Sequence, residues 1–319
     1  SETWVNGATN TELATLAEAM EGAEGFSVYS LAAASYDSVS FTMSSPIGSP
    51  RGIRFNSNGT KMFVCGETSD AVNEFTLSTS FDLTTASYVD NFSVSSQDAN
   101  PQGIEFNSDG TKMYVCGEVG DQIHQYALST GFDVSSASFT QSFTLNIASL
   151  NPQGLTFNTD GTKMFVCGNG SDNITQYTLS TGFDISSASY DSVILTIPVD
   201  RPADIVFNSD GTIMLVLTGG GSTVYRYLLS SGFDLSTASL DTSYSVSAEQ
   251  SSGARGMTVN SDGSKMYIVG ISNSLRVDQY SIGGAVYINQ MDKTQLDAVT
   301  DPNHIALGDD LDLAIIFNM

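Results

Sequence analysis

Positive charge is what this sequence has least of: 11 Lys and Arg stand against 35 Asp and Glu, a formal charge of −24. The phosphate backbone of nucleic acid and an anionic membrane surface both require clustered Lys and Arg, so neither is an expected partner. No stretch of 18 apolar residues exists, which excludes a membrane-spanning helix, and no membrane insertion is expected. The N-terminal SETWVNGATN lacks the basic region and apolar core of a signal peptide, and a start at Ser is what removal of an initiator Met or cleavage of a preceding leader would equally leave. Histidine is reduced to His124 and His304, and neither CxxC nor HxxxH spacing occurs, so no metal site and no cofactor are expected. The cysteines, Cys65, Cys116 and Cys167, stand at one repeated position. Equivalent strands of neighbouring sheets lie roughly 10 Å apart, too far for a disulfide, so the three read as small apolar residues.

What the sequence has is repetition. The segment FNSDGTKMYVCG at Phe106 has near-copies at Phe55, Phe157, Phe207 and Val259. Its turn glycines, Gly59, Gly110, Gly161, Gly211 and Gly263, are spaced by 51, 51, 50 and 52 residues. Asn-Ser-Asp-Gly between two apolar strands provides Asx side-chain bonding followed by Gly where φ must be positive, which makes a tight hairpin. A second motif, STGFDISSASY at Ser180, has counterparts at Ser78, Ser129 and Ser230. Its Phe (Phe81, Phe132, Phe183, Phe233) reads as a buried plug. Its Asp (Asp82, Asp133, Asp184, Asp234) is placed to accept the N–H groups of the following Ser/Thr pair. With a third strand after a variable loop and a fourth after the connector, each unit holds four antiparallel strands, one propeller blade.

The expected fold is therefore all-β, a β-propeller of four-stranded antiparallel blades spanning residues 26–319. Repeat units lie near residues 51–101, 102–152, 153–202, 203–254 and 255–290. Residues 26–50 resemble the second half of a unit, and residues 304–317 align weakly with the first half. Joined, they would form a closing blade of N- and C-terminal strands, so six blades are favoured, with five as the alternative. Residues 1–25 form an arm outside the repeat, in which Leu13, Leu16, Ala17 and Met20 fall at the spacing of a short amphipathic helix. Trp4, Leu13, Leu16 and Met20 are the candidate partner contacts.

The FNSDGTKMYV unit resembles the SPDG-type strand-turn-strand of YVTN, lactonase-like and WD40-like propellers, with Asn-Ser in place of Ser-Pro. The complete unit resembles propeller repeats of marine phage and marine bacterial surface proteins. A lactonase-like propeller implies acidic, Asn and His residues gathered at the central channel, and the sequence shows no such set there. Where the copies disagree, Arg51, Gln102, Gln153 and Arg255, with Arg54 and Glu105 within the first strands, form a candidate channel rim for a small anion or sugar. His124, whose counterparts are Asn73, Thr175, Tyr225 and Asp278, reads as an exposed variable position. The loops between second and third strands, on one face, are the natural recognition surface. The expectation is a non-enzymatic structural or binding module: a phage virion component (tail, fibre or capsid surface) assembling with other subunits. The alternative is a secreted or cell-surface adhesive propeller of a marine bacterium that binds a glycan, and a lactonase-like hydrolase is the third reading. The expected location is a virion or an extracellular surface.

Overall fold

A computed structural model describes residues 29–32, 34–43, 47–146, 151–197, 201–251, 253–271, 275–282, 286–287 and 314–315. Five four-stranded antiparallel sheets follow one another around a central axis. Strand β1 is Ser35–Thr42. The first blade runs outward through β2 (Pro50–Phe55), β3 (Lys61–Gly66), β4 (Ala71–Leu77) and β5 (Ala86–Ser93). The second has β6 (Pro101–Phe106), β7 (Lys112–Gly117), β8 (Gln122–Leu128) and β9 (Ala137–Thr144). The third has β10 (Pro152–Phe157), β11 (Lys163–Gly168), β12 (Asn173–Leu179) and β13 (Ala188–Thr196). The fourth has β14 (Pro202–Phe207), β15 (Ile213–Thr218), β16 (Thr223–Leu229) and β17 (Ala238–Ser245). The fifth takes β18 (Ala254–Val259), β19 (Lys265–Gly270) and β20 (Arg276–Ser281) from the end of the repeats and β1 from the beginning.

That last pairing corrects the favoured blade count. β1 resembles a fourth strand because it is one, but it belongs to the fifth blade, where Ser35 pairs with Ser281 and Thr42 with Arg276. It covers the edge that β20 would otherwise expose. Inner strand β18 then packs beside β2, so the ring shuts without a sixth blade. Val286–Tyr287 (β21) pairs with Ala314–Ile315 (β22) as a separate two-stranded sheet and does not extend the fifth blade. The expected N-terminal helix, with Trp4, Leu13, Leu16 and Met20, lies outside the described residues, as does His304.

The repeated motifs do what their chemistry requires. In the hairpin of the second blade, Asp109 Oδ1 accepts from the Thr111 N–H at 2.9 Å, Asn107 Oδ1 accepts from the Lys112 N–H at 2.8 Å, and Gly110 takes φ +70°. A side chain at Gly110 would also strike Phe132, whose ring atoms stand 2.3 Å from where its Cβ would be. The connector Phe is thus a half-buried lid on the hairpin of its own blade. The connector aspartates cap short 3-10 turns, each accepting the N–H two residues on, as Asp133 does from Ser135. Between blades lie five apolar clusters built from alternating strand residues, each containing side chains of neighbouring sheets. Cys65, Cys116 and Cys167 are free thiols in this packing, and burial pushes the Cys65 thiol up to about 12, out of the reactive range.

Five inner strands leave a narrow axis. Gly52, Gly103, Gly154 and Gly256 occupy equivalent places on β2, β6, β10 and β18. A Cβ at Gly103 would lie 2.7 Å from the Gln153 carbonyl oxygen, and one at Gly256 2.3 Å from that of Arg51. The fourth blade alone departs from glycine here, and its residue is Asp204.

Candidate active site at the upper mouth of the channel

The channel has two mouths and a plug. The plug is Arg54, only 6% exposed. Its Nε donates to Glu105 Oε2 at 2.9 Å, and its Nη1 and Nη2 donate to the two oxygens of Asp204 at 2.9 and 3.0 Å. The same guanidinium donates to the carbonyls of Ile53, Leu155 and Met257. One side chain therefore reaches all five blades. Burial opposes its charge, but Asp204 and Glu105 outweigh burial and raise its pKa. Asp204 also accepts from the N–H groups of Ile205 and Met257, which completes a closed ionic network. Arg54 and Glu105 are thus inside the channel, while Arg51, Gln102, Gln153 and Arg255 stand at the upper mouth, where the inner strands begin.

A backbone device aims the upper set. In every blade the pairing of the first two strands skips a step at the start of the inner strand, between Pro50 and Ile53, Pro101 and Gly103, Pro152 and Gly154, Pro202 and Asp204, and Ala254 and Gly256. Such bulges turn a side chain out of the ladder, and the residues turned here are Arg51, Gln102, Gln153, Ala203 and Arg255. Ala203 is the short one. The space it leaves, widened by Gly219, is a recess of ≈ 210 Å³ that Arg51, Arg201, Arg255, Glu118, Gln153 and Asn169 also line.

The recess places one carboxylate against three guanidinium groups. Arg51 is paired with Glu67. Arg255 donates only a long bond, 3.3 Å, to the Ala254 carbonyl, and its buried Nε has no partner among the described residues. Burial, then the nearby charges of Arg51 and Arg201, lower its pKa. A site that repels its own cation in this way is complementary to an anion. Glu118 is held by two amides, Asn100 Nδ2 donating to Oε2 at 3.0 Å and Gln153 Nε2 to Oε1 at 3.1 Å. Gln102 is turned aside to Asn100 Oδ1 at 2.6 Å. Arg201 was not singled out from the sequence, where Glu118 and Asn169 figure only as the first residues of variable recognition loops. Among the described residues no three His, Cys, Asp or Glu side chains converge as metal ligands.

His124 requires a correction. It is buried, 2% exposed, with Nδ1 2.8 Å from Ser142 Oγ and Nε2 3.9 Å from Asp98 Oδ2. Its position varies among blades because each must fit a different loop packed over the sheet; in this blade the loop brings Asp98, which also accepts from the Asn100 N–H at 2.7 Å. Burial lowers the His124 pKa. The unfolded chain then binds a proton that the folded chain refuses, so this contribution to stability is complete above the unfolded value of about 6.5 and is lost as pH falls below it. The change in urea midpoint on acidification from pH 7 to pH 5 should accordingly be less destabilising in His124→Gln than in the wild type.

Comparison with known proteins gives the family. No curated protein sequence matches the chain. Solved propellers resemble it loosely. A Lactobacillus plantarum protein gives TM-score 0.47 at 16% identity, covering 70% of this chain and 64% of its own. A provisionally assigned 6-phosphogluconolactonase of Bacteroides fragilis gives 0.47 at 14%, covering 76% and 71%. The periplasmic gluconolactonase of Pseudomonas aeruginosa gives 0.39 at 15%, covering 61% and 53%. The chain thus spans less than two thirds of the length of the first and third. The profile of the family described as "Lactonase, 7-bladed beta-propeller" matches residues 16–185, more than half of the chain. This match overturns the expectation of a non-enzymatic virion or adhesive module, which rested on the repeat type, the acidic charge without basic patches and the lack of a gathered catalytic set. With the match and the propeller fold together, the chain belongs to the lactonase propeller family and builds its described ring from five blades.

Proposed function

We propose that the chain hydrolyses a lactone bearing an acid group, at the upper mouth of the channel. The observation that carries this reading is the opposition of Glu118, steadied by Asn100 and Gln153, to the guanidinium of Arg255 across one recess. Family membership supplies the reaction class. In the proposed reaction Glu118 takes a proton from a water molecule as its oxygen attacks the lactone carbonyl. The carbonyl oxygen becomes an oxyanion beside Arg255, whose guanidinium lines the recess and donates to it. The ring C–O bond then breaks, its oxygen recovers the proton from Glu118, and an open-chain hydroxy acid is released. Arg201, at the edge of the recess, holds the acid group of the substrate.

The test is proton release under a pH-stat with six-membered sugar lactones, one neutral and one carrying a phosphate or carboxylate. The protein should accelerate ring opening of the acid-bearing lactone well beyond the buffer rate. Arg201→Met should raise its KM about 10-fold, the worth of one charge-assisted hydrogen bond, and leave the neutral lactone unaffected. No acceleration with either lactone would refute the reading.

A further inference from the structure

The lower mouth of the channel, where the inner strands end in their hairpin turns, holds a larger recess of ≈ 320 Å³ on the far side of the Arg54 plug. We propose that it is a second binding site, for a small neutral polyol of about the size of a monosaccharide. This inference is independent of the lactone reading and concerns the opposite face of the ring.

The recess exists because the five copies disagree at one level of the inner strands. Arg54 and Glu105 are long and fold across the axis, whereas Thr156, Val206 and Thr258 are short and leave the space beneath. A volume of this order is that of a small-molecule cleft. Thr156 is 8% and Thr258 6% exposed, both line the recess, and neither hydroxyl has a hydrogen-bond partner among the described residues. The residues are buried but their hydroxyl oxygens are not among the enclosed orphan atoms of the interior: they open onto the recess, where they remain for a ligand to bond. The Glu105 carboxylate, fixed by Arg54 and by the Phe106 N–H at 2.9 Å, adds an acceptor at the floor.

The charges select the ligand. Among the described residues Arg54 is the one cation lining the recess, and its donors are already committed to Asp204, Glu105 and three carbonyls, so none of them remains for an anion. Glu105 and Asp262 would also repel one. The same Glu105 is paired with Arg54 at 2.9 Å and Asp262 is exposed to solvent, which weakens the attraction for a cation. Two free hydroxyls, a carboxylate acceptor and an apolar wall that includes Val206 suit a molecule with several hydroxyl groups and a C–H face. Tyr29 is fixed at the margin by its hydroxyl, which donates to the Phe207 carbonyl at 3.3 Å, and by its N–H, which donates to the Gly263 carbonyl at 3.3 Å.

Saturation-transfer NMR on the full chain tests this with myo-inositol and D-glucose as neutral probes, and glucosamine and glucuronate as their charged counterparts. The neutral probes should receive saturation and the charged ones much less. Val206→Phe, which fills the recess, and the double variant Thr156→Val/Thr258→Val should each weaken neutral binding at least about 10-fold, with unchanged melting temperature. Glu118→Gln, at the other mouth, should not alter it. The proposal is overturned if no neutral probe is saturated, if charged probes bind better, or if binding survives in whichever of the two lower-mouth variants folds. Because no turnover is read, loss of the lactone reading leaves this result standing, and the converse holds too.

Discussion

Arg54→Met should be among the most destabilising single substitutions in the ring, lowering the unfolding free energy by about 3–5 kcal/mol. The guanidinium is bonded to residues of all five blades, and its removal leaves Asp204, 2% exposed, as a buried carboxylate without its counter-charge. Methionine keeps the volume, so the loss reports the ionic network and not a cavity. For a chain of this size the corresponding fall in melting temperature is roughly 10 °C. Urea denaturation of Arg54→Met, Asp204→Gly and the double variant separates the terms. Asp204→Gly restores the residue found at this place in the other four blades. The double variant, which has neither charge, should recover a good part of what Arg54→Met loses, because an apolar pair is often no worse than a buried ion pair. Wild-type stability in Arg54→Met would show that the blades are held by their apolar clusters alone.

The hub also marks how far the sequence could be read. The four-stranded blade was legible because hairpin chemistry is local: Asn107, Asp109 and Gly110 bond within six residues of one another, and five copies repeat the pattern. Blade number was not, because it depends on which partner the first strand takes, and Ser35 finds Ser281 at the other end of the chain. Arg51, Gln102, Gln153 and Arg255 were legible as a set because they share one repeat position, although only the bulge explains why that position faces the mouth. Asp204 left a signal that was there to be seen, an acid where four copies have glycine. Arg201 left almost none. It lies two residues before the shared position and lines the recess beside Ala203. Glu118 was hidden for a different reason. Its loop varies from blade to blade, and variation suggested recognition, whereas its meaning lies in Asn100 and Gln153, which come from the inner-strand starts of two blades and converge on one carboxylate.

Glu118→Gln should then lower kcat for the acid-bearing lactone by about 10²–10⁴-fold, the range that a positioned general base contributes. The substitution preserves the shape of the side chain, and the residue is exposed, so melting temperature and KM should change little. A structural role would give the opposite pattern, with stability moving and rate following. Asn100→Ala provides the intermediate case: it removes the donor to Glu118 Oε2 and leaves Gln153 on Oε1, so the carboxylate remains but is less well aimed. Its kcat should fall roughly 10-fold, since a misdirected base loses part of the advantage of orientation. The decisive comparison is Glu118→Ala with added formate. The small acid can enter the space vacated by the side chain and restore part of the rate if Glu118 acts as a proton acceptor, and it cannot do so if Glu118 only holds Asn100 and Gln153 in place. Full activity in Glu118→Gln would move the base elsewhere on the mouth and leave Arg255 as its one assigned catalytic group.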